Sequence, residues 1–449
     1  MPRRIAFDIL TRVDEGAFSD LVLDTVFSRR KLDPRDRGLV TELVYGVLRL
    51  RGRLDFALAQ VSRQPLKRLE AGVLRLLRLG AYQLLELDRV PSHAAVHSSV
   101  ELARQVGMER VSGLVNGTLR GLERQRESIP WPSPETIRPY LQHVCSLPVW
   151  LAKEILRQFP NAESQAFGEA LAGQAPFALR VNSLKMDRDS FLARLEVAGH
   201  KAIATDYAPE GVIIKTRSDQ PIPGDAEGWY QVQDEASMLI AHLLDVQPEM
   251  KILDTCAAPG GKTTHLAALT ENRSPILALE KHPQRVELIK QGAARLSCSS
   301  IDARPWDLTE SPEFLEAESF DRVLVDAPCS GLGVLRRNPE SRWNRSAADV
   351  RELAGLQTTI LEQVAPLLRP GGVLLYSVCT FTARETAEVV ADFLVRQKGF
   401  VLEDLRDLVP DRWCELIGED GMLRTLPHRH GGMDAFFAAR LRRVAEQDR

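Results

Sequence analysis

Over the first 140 positions apolar residues recur at three- and four-residue steps. From about residue 229 they gather instead into short continuous runs separated by helical patterns. In the first region Leu39, Leu43, Val47, Leu50, Leu54 and Leu58 mark one helix with a single buried stripe. Asp33-Pro34 opens it, a capping side chain followed by proline at the first helical position. Leu69-Val73-Leu76-Gly80-Leu84 and Val96-Val100-Ala103 continue the pattern, so residues 1–140 read as an all-α domain. The proline-rich stretch Ile129-Pro-Trp-Pro-Ser-Pro134 ends it.

A second pattern fills residues 141–228. After a short helical segment around Trp150, Ile155 and Phe159, strand-like Phe177–Asn182 precedes a helix over Arg188 to Val197. Two more strands follow, Lys201–Ala204 and Val212–Ile214. This βαββ unit reads as a small α+β module. From 229 to 449, strands are predicted at Lys251–Asp254, Ile276–Glu280, Phe320–Asp326 and Val373–Tyr376, the last after the helix-stopping turn Arg369-Pro-Gly-Gly372. Continuous apolar strands alternating with helices predict a parallel sheet covered on both faces, an α/β Rossmann-like domain.

Composition narrows the classes. Charged residues make up 27% and apolar ones 44%, as in a soluble globular protein, and no apolar run nears the roughly 20 residues that cross a bilayer. Asp8 interrupts the only apolar run near the basic N-terminus, against a secretory signal. The six cysteines form no C-x-x-C pair, which fits reduced thiols in a cytoplasm and no structural zinc site. His265 and His430 have no second ligand at useful spacing, so no metal is expected. The net charge of −3 hides an asymmetry: residues 1–140 hold 23 Lys and Arg against 17 Asp and Glu. That basic surplus suits a polyanion, although solvated helix faces explain it equally well.

The candidate chemistry sits in three motifs. Cys256-Ala257-Ala258-Pro259-Gly260-Gly261-Lys262-Thr-Thr-His265 follows a strand and enters a helix, where close backbone approach and unpaired N–H groups receive a nucleotide-like cofactor. It is not a phosphate loop, because Cys256 stands where that motif needs glycine. Glu280, about twenty positions on, ends the next strand where a carboxylate accepts both ribose hydroxyls. Asp302 follows the next segment and is expected to receive an adenine amino group. A nucleoside cofactor without phosphates, S-adenosylmethionine, fits such a cleft. Asp326-Ala-Pro-Cys329-Ser330 and Tyr376-Ser-Val-Cys379-Thr380 then place a cysteine after each of two strands of the same sheet. A lone cysteine there is usually packing; two point to thiol chemistry on the methyl acceptor.

These motifs, with the Arg336–Trp343 segment, Leu179-Arg-Val-Asn182, Gln233-Asp-Glu-Ala-Ser237 and His430-Gly-Gly-Met-Asp-Ala-Phe-Phe-Ala-Ala-Arg440, closely resemble the Nol/Nop/Sun superfamily of RNA (cytosine-C5) methyltransferases. The leading helices, with Val115-Asn-Gly-Thr-Leu119, are similar to the NusB-like extension of its bacterial small-subunit ribosomal RNA methyltransferase B branch. The resemblance covers essentially the whole chain. It implies that Cys379 attacks C6 of the base, that Cys329 assists elimination and release, and that Asp326 bonds the polar edge of cytosine, with Lys262 placing it. It also implies Arg180 and Asn182 as holders of the RNA backbone, and a monomer acting on ribosomal RNA. Val378, Thr380, Ala435 and Glu280 depart from the usual Thr, Ser, Gly and Asp; none removes a nucleophile or reverses a charge. Transfer RNA as target, or a non-catalytic assembly factor, are the rival readings.

Overall fold

Side-chain stripes with no partner of their own must pack against one another, and here they do so in two compact units. One comprises Met1–Gln174 with Leu335–Ser346; the other comprises Ala175–Val334 and the chain from Ala347 onward. The computed structural model describes residues 1–444.

The first unit is helical. Its core gathers the stripes of Pro2–Asp14, Pro34–Arg49, Arg51–Val61, Ala71–Leu85, Ser92–Gln105 and Ser112–Gln125, including Leu43, Leu54, Leu76 and Leu119. Asp33 caps its helix as expected, accepting from Arg35 N at 2.9 Å. The single helix expected over Leu39–Leu58 is two, broken at Leu50. Beyond the break, the Gly52 N–H donates to Ser146 Oγ at 2.8 Å, a tertiary bond that periodicity does not reveal. The helices Ile137–His143, Val149–Gln158 and Asn161–Ala172, after the proline-rich stretch, belong to the same unit.

Residues Leu335–Ser346 join this helical unit although they lie between two strands of the other. Arg342 is fully buried and donates to the carbonyls of Arg49, Leu171, Leu335 and Ser146 at 2.9–3.3 Å. Glu340 accepts from Ser19 N at 3.0 Å and Ser19 Oγ at 2.8 Å, closing the start of the helix Ser19–Arg29. Trp343 Nε1 donates to Leu48 O at 2.7 Å. A buried guanidinium needs its donors matched; four carbonyls take its terminal nitrogens, while Nε has no hydrogen-bond partner.

The second unit carries two sheets. Strands β1 (Phe177–Val181), β2 (Lys201–Ala204), β3 (Gly211–Thr216) and β4 (Tyr230–Val232) pair antiparallel in the order β2-β3-β1-β4. The sequence pattern yields the first three; β4 is too short to show. The larger sheet holds β5 (Ile252–Asp254), β6 (Ile276–Glu280), β7 (Ile301–Pro305), β8 (Phe320–Asp326), β9 (Leu368–Val378), β10 (Phe400–Glu403), β11 (Leu423–Arg424) and β12 (Phe437–Arg443). Its order is β10-β12-β9-β8-β5-β6-β7, with β11 also on β12. The segment from β9 to β7 is parallel, and β12 and β10 add antiparallel. The mixed α/β Rossmann-like fold, preceded by an α+β module and helices, is therefore the observed one. Among the described residues no helix is long and apolar enough to cross a membrane.

Candidate active site

From β5 the chain steps outward to β6 and β7, then crosses back to β8 and β9 on the other side. The order reverses between β5 and β8, and such a reversal opens a crevice at the carboxyl ends of the strands. The loop Thr255–Gly260 leaves β5 into that crevice, and Asp326 ends β8 beside it. Gly260, at φ +99°, turns the loop into the helix Gly261–Leu269, and a side chain there would meet Ile289 Cα at 3.2 Å. Only glycine suits both demands. Asp254, at the end of β5, is buried; its Oδ2 accepts from Thr263 Oγ1 at 2.7 Å, while Oδ1 has no hydrogen-bond partner. Burial pushes its pKa up to about 7. A buried unmatched acceptor beside a glycine turn and a helix start suits a ligand carrying an amino group.

Two thiols face each other across the crevice. Cys379 follows β9 and Cys329 follows β8, and their Sγ atoms lie 3.3 Å apart. The bond to Cys379, then burial, push Cys329 well above its ordinary pKa. Either sulfur can donate in this contact. Gly333 fixes the loop that carries Cys329: its N–H donates to Cys379 O at 3.0 Å and its carbonyl accepts from Ala435 N at 3.1 Å. A Cβ at Gly333 would stand 1.9 Å from Ala435 O, so no larger residue fits between the two loops.

Lys262, in the first turn of the helix after the glycine loop, pairs with Asp326 Oδ2 at 2.6 Å. Ser377 Oγ donates to the other oxygen, Oδ1, at 2.8 Å. Burial opposes the Lys262 charge, but Asp326 and the nearby Cys379 outweigh it, and the pKa rises. The Lys262 ammonium is thus fixed on Asp326 beside the crevice.

Sequence reasoning missed the group that locks both thiol loops. Glu385 is fully buried and accepts from Ser330 N at 2.7 Å, Ser330 Oγ at 2.5 Å, Thr382 Oγ1 at 2.9 Å, Gln357 Nε2 at 3.2 Å and Thr380 Oγ1 at 3.3 Å. Ser330 adjoins Cys329 and Thr380 adjoins Cys379, so one carboxylate ties both cysteine neighbours. The hydroxyl-rich run Thr380-Phe-Thr382 just before Glu385 was the available signal.

The other expected site residues divide. Glu280 is buried at the end of β6, accepts from His282 N at 3.0 Å and pairs with Arg285 at 3.1 Å. Asp302 is not at the crevice. It pairs in register with Leu277 in the body of the sheet, and its exposed carboxylate is held by Arg304 at 2.6 Å. β7 runs on to Pro305, so the first carboxylate past its end is Asp307, on Lys281 at 2.8 Å. The charged Asp302 and Arg304 hide this short strand in the sequence pattern. Arg180 and Asn182 are also corrected, being 2% exposed and bonded internally. Arg180 donates to Gln233 Oε1 at 2.6 Å, Thr264 Oγ1 at 3.0 Å and Gly261 O; Asn182 donates to Gly228 O and Leu296 O at 2.9 Å. Arg180 ties the small module to the helix that follows the glycine loop, and Asn182 ties it to the end of the helix Pro283–Leu296. Burial pushes the Cys256 thiol up, which suits a packing role in that loop. His430 Nδ1 accepts from Leu426 N at 2.9 Å in a local turn. His265 meets Glu210 and His242, which no sequence spacing foretells.

Fold and site together define a Rossmann-like methyltransferase of the S-adenosylmethionine-dependent class. Residues 241–442 match the family model described as 16S rRNA methyltransferase RsmB/F, residues 1–124 the NusB family, and residues 147–220 the RsmF/B-like ferredoxin-like domain. The chain is 35% identical over 446 residues to the Bacillus subtilis (strain 168) protein named "Probable ribosomal RNA small subunit methyltransferase B", covering 98% of each. It is 35% identical over 422 residues to "Ribosomal RNA small subunit methyltransferase B" of Pseudomonas putida, covering 92% of each. The chain belongs to the ribosomal RNA small subunit methyltransferase B family. Among solved structures, that of PH0851 superposes with a TM-score of 0.82 at 25% identity, over 99% of both chains. NSun6 from Pyrococcus horikoshii with SFG shares the fold, at a TM-score of 0.59 and 23% identity over 68% of this chain and 100% of that one.

Proposed function

We propose that this protein methylates C5 of a cytosine in small-subunit ribosomal RNA through a transient bond between Cys379 and C6 of the base. The observation that carries the reading is the Cys329–Cys379 pair at 3.3 Å, beside the Lys262–Asp326 pair at 2.6 Å. C5 of cytosine is a poor nucleophile, and addition of a thiolate at C6 pushes electron density onto it. Bound S-adenosylmethionine supplies the electrophilic methyl group. Cys379, facing the Lys262 ammonium, provides the thiolate. Asp326, fixed by Lys262 and Ser377, bonds the polar edge of the base and orients C6 toward that sulfur. After methylation the C5 proton must leave, the C5–C6 double bond re-forms, and Cys379 departs with the electrons of its C–S bond. Cys329, in contact with Cys379, helps that step by accepting the C5 proton, directly or through a water, as it passes its own proton to the departing thiolate. The test is nucleoside mass spectrometry of small-subunit ribosomal RNA treated with enzyme and cofactor. It should give 5-methylcytidine, and a different methylated nucleoside would overturn the assignment.

Glu280 is the ribose acceptor in this reading, and Asp307 takes the adenine-edge role that Asp302 was expected to hold. The Lys281 and Thr309 bonds hold Asp307 down to about 2, so it is an ionised acceptor. Asp307→Ala should raise the KM for S-adenosylmethionine about tenfold, the value of one lost charged hydrogen bond. Asp302→Ala should leave it unchanged, and the reverse order would restore Asp302. The exposed run Arg29-Arg30-Lys31, with Arg35 and Arg37, gives the helical unit a basic surface for RNA phosphates.

A further inference from the structure

We propose that Glu210, His242 and His265 form a binding site for one divalent cation of the zinc class, with a water from the adjoining cavity as fourth ligand. The three side chains come from separate parts of the second unit. Glu210 precedes β3 in the small module, His242 lies on the helix Glu235–Leu243, and His265 on the helix Gly261–Leu269. One ligand atom from each lies within 4.8 Å of the other two. His265 Nε2 is 2.7 Å from Glu210 Oε1, and His242 Nε2 is 3.1 Å from Oε2. An ion bound at about 2.0–2.1 Å to two imidazoles and a carboxylate needs its donors only a little farther apart than this.

The second observation is His265 itself. It is 2% exposed, its Nδ1 has no hydrogen-bond partner, and its Nε2 meets Glu210 Oε1 as an ion pair at 2.7 Å. A buried imidazole left this way costs free energy unless something else takes the lone pair. A cavity of about 290 Å³ opens on all three residues, with Ser183, Asp187 and Arg188 among its other walls. It leaves room for a water on the open side. The Arg180 charge bears on both Glu210 and His265, but its terminal nitrogens point into Gln233, Gly261 O and Thr264. Two imidazoles, one carboxylate and an open position are the donor set zinc prefers over calcium or magnesium. Such an ion would join the small module to the helix that begins at the cofactor loop.

The thiol pair is the obvious competing zinc ligand, so the test uses the full-length Cys329→Ser/Cys379→Ser variant. The protein is stripped with a chelator, dialysed against Zn²⁺ and assayed for bound metal, with circular dichroism as the folding control. One zinc per chain is expected. His242→Ala or His265→Gln in that background should weaken binding by roughly 100-fold while the fold persists. Co²⁺ should give the visible bands of a four-coordinate site without a thiolate charge-transfer band. Zinc uptake unaltered by either histidine change, or folded protein that retains no zinc, would overturn the proposal. Either result leaves the methyltransferase reading untouched, since that rests on other residues.

Discussion

Cys379→Ala should abolish methyl transfer, lowering turnover on the order of 10⁴-fold or more, while cofactor affinity changes little. The side chain follows β9 and contributes a sulfur to the crevice, whereas the cofactor loop is built from the turn after β5 and the helix Gly261–Leu269. On the proposed mechanism, removing that sulfur takes away the atom that would bond C6. It does not touch Gly260, Asp254 or Glu280. Nor does it open a large void: Cys379 is part-buried, and truncation to alanine removes one atom. Calorimetric titration with S-adenosylmethionine and a methyl-transfer assay on the same sample separate the two effects. Residual transfer within tenfold of the unchanged enzyme would remove Cys379 from the chemistry. Loss of cofactor binding would make it part of the pocket.

Glu385 supports the second large effect. Its fully buried carboxylate takes five donors, and three of them come from Ser330 and Thr380, the residues next to the two thiols. Glu385→Ala leaves these donors unmatched and should lower folding stability by about 3 kcal/mol. Glu385→Gln keeps the shape but turns an amide NH₂ toward groups that are themselves donors. It should retain most of the stability and still lower kcat by about 100-fold, because the sulfurs are no longer held in contact. The KM for S-adenosylmethionine should barely move. A glutamine variant with full kcat would show that the network serves stability alone.

Much of this was legible in the sequence, for identifiable reasons. β5, β6 and the Val323–Val325 part of β8 are apolar runs ended by Asp254, Glu280 and Asp326, and buried parallel strands leave that signature. The glycine loop and both cysteine motifs are local, so spacing sufficed to find them. What depended on tertiary packing was not legible. β7, Ile301–Pro305, has an exposed aspartate and arginine on its solvent side, so it leaves no continuous apolar run, and Asp302 lies inside the strand instead of past its end. Arg180 and Asn182 look like surface polar residues of a small module, yet their partners lie 46 to 114 residues away. The same holds for Arg342, whose carbonyl acceptors Arg49, Ser146 and Leu171 lie 171 to 293 residues away. Buried polar groups announce themselves by their partners, and a single sequence does not list partners.

The most direct measurement is a denaturing gel of the Cys329→Ala variant incubated with small-subunit ribosomal RNA and S-adenosylmethionine. If Cys379 forms the bond and Cys329 aids its release, a slow-migrating protein–RNA band should accumulate. That band should vanish when Cys379 is also alanine. A folded, cofactor-binding variant that gives no band, or a band that persists without Cys379, would contradict the account.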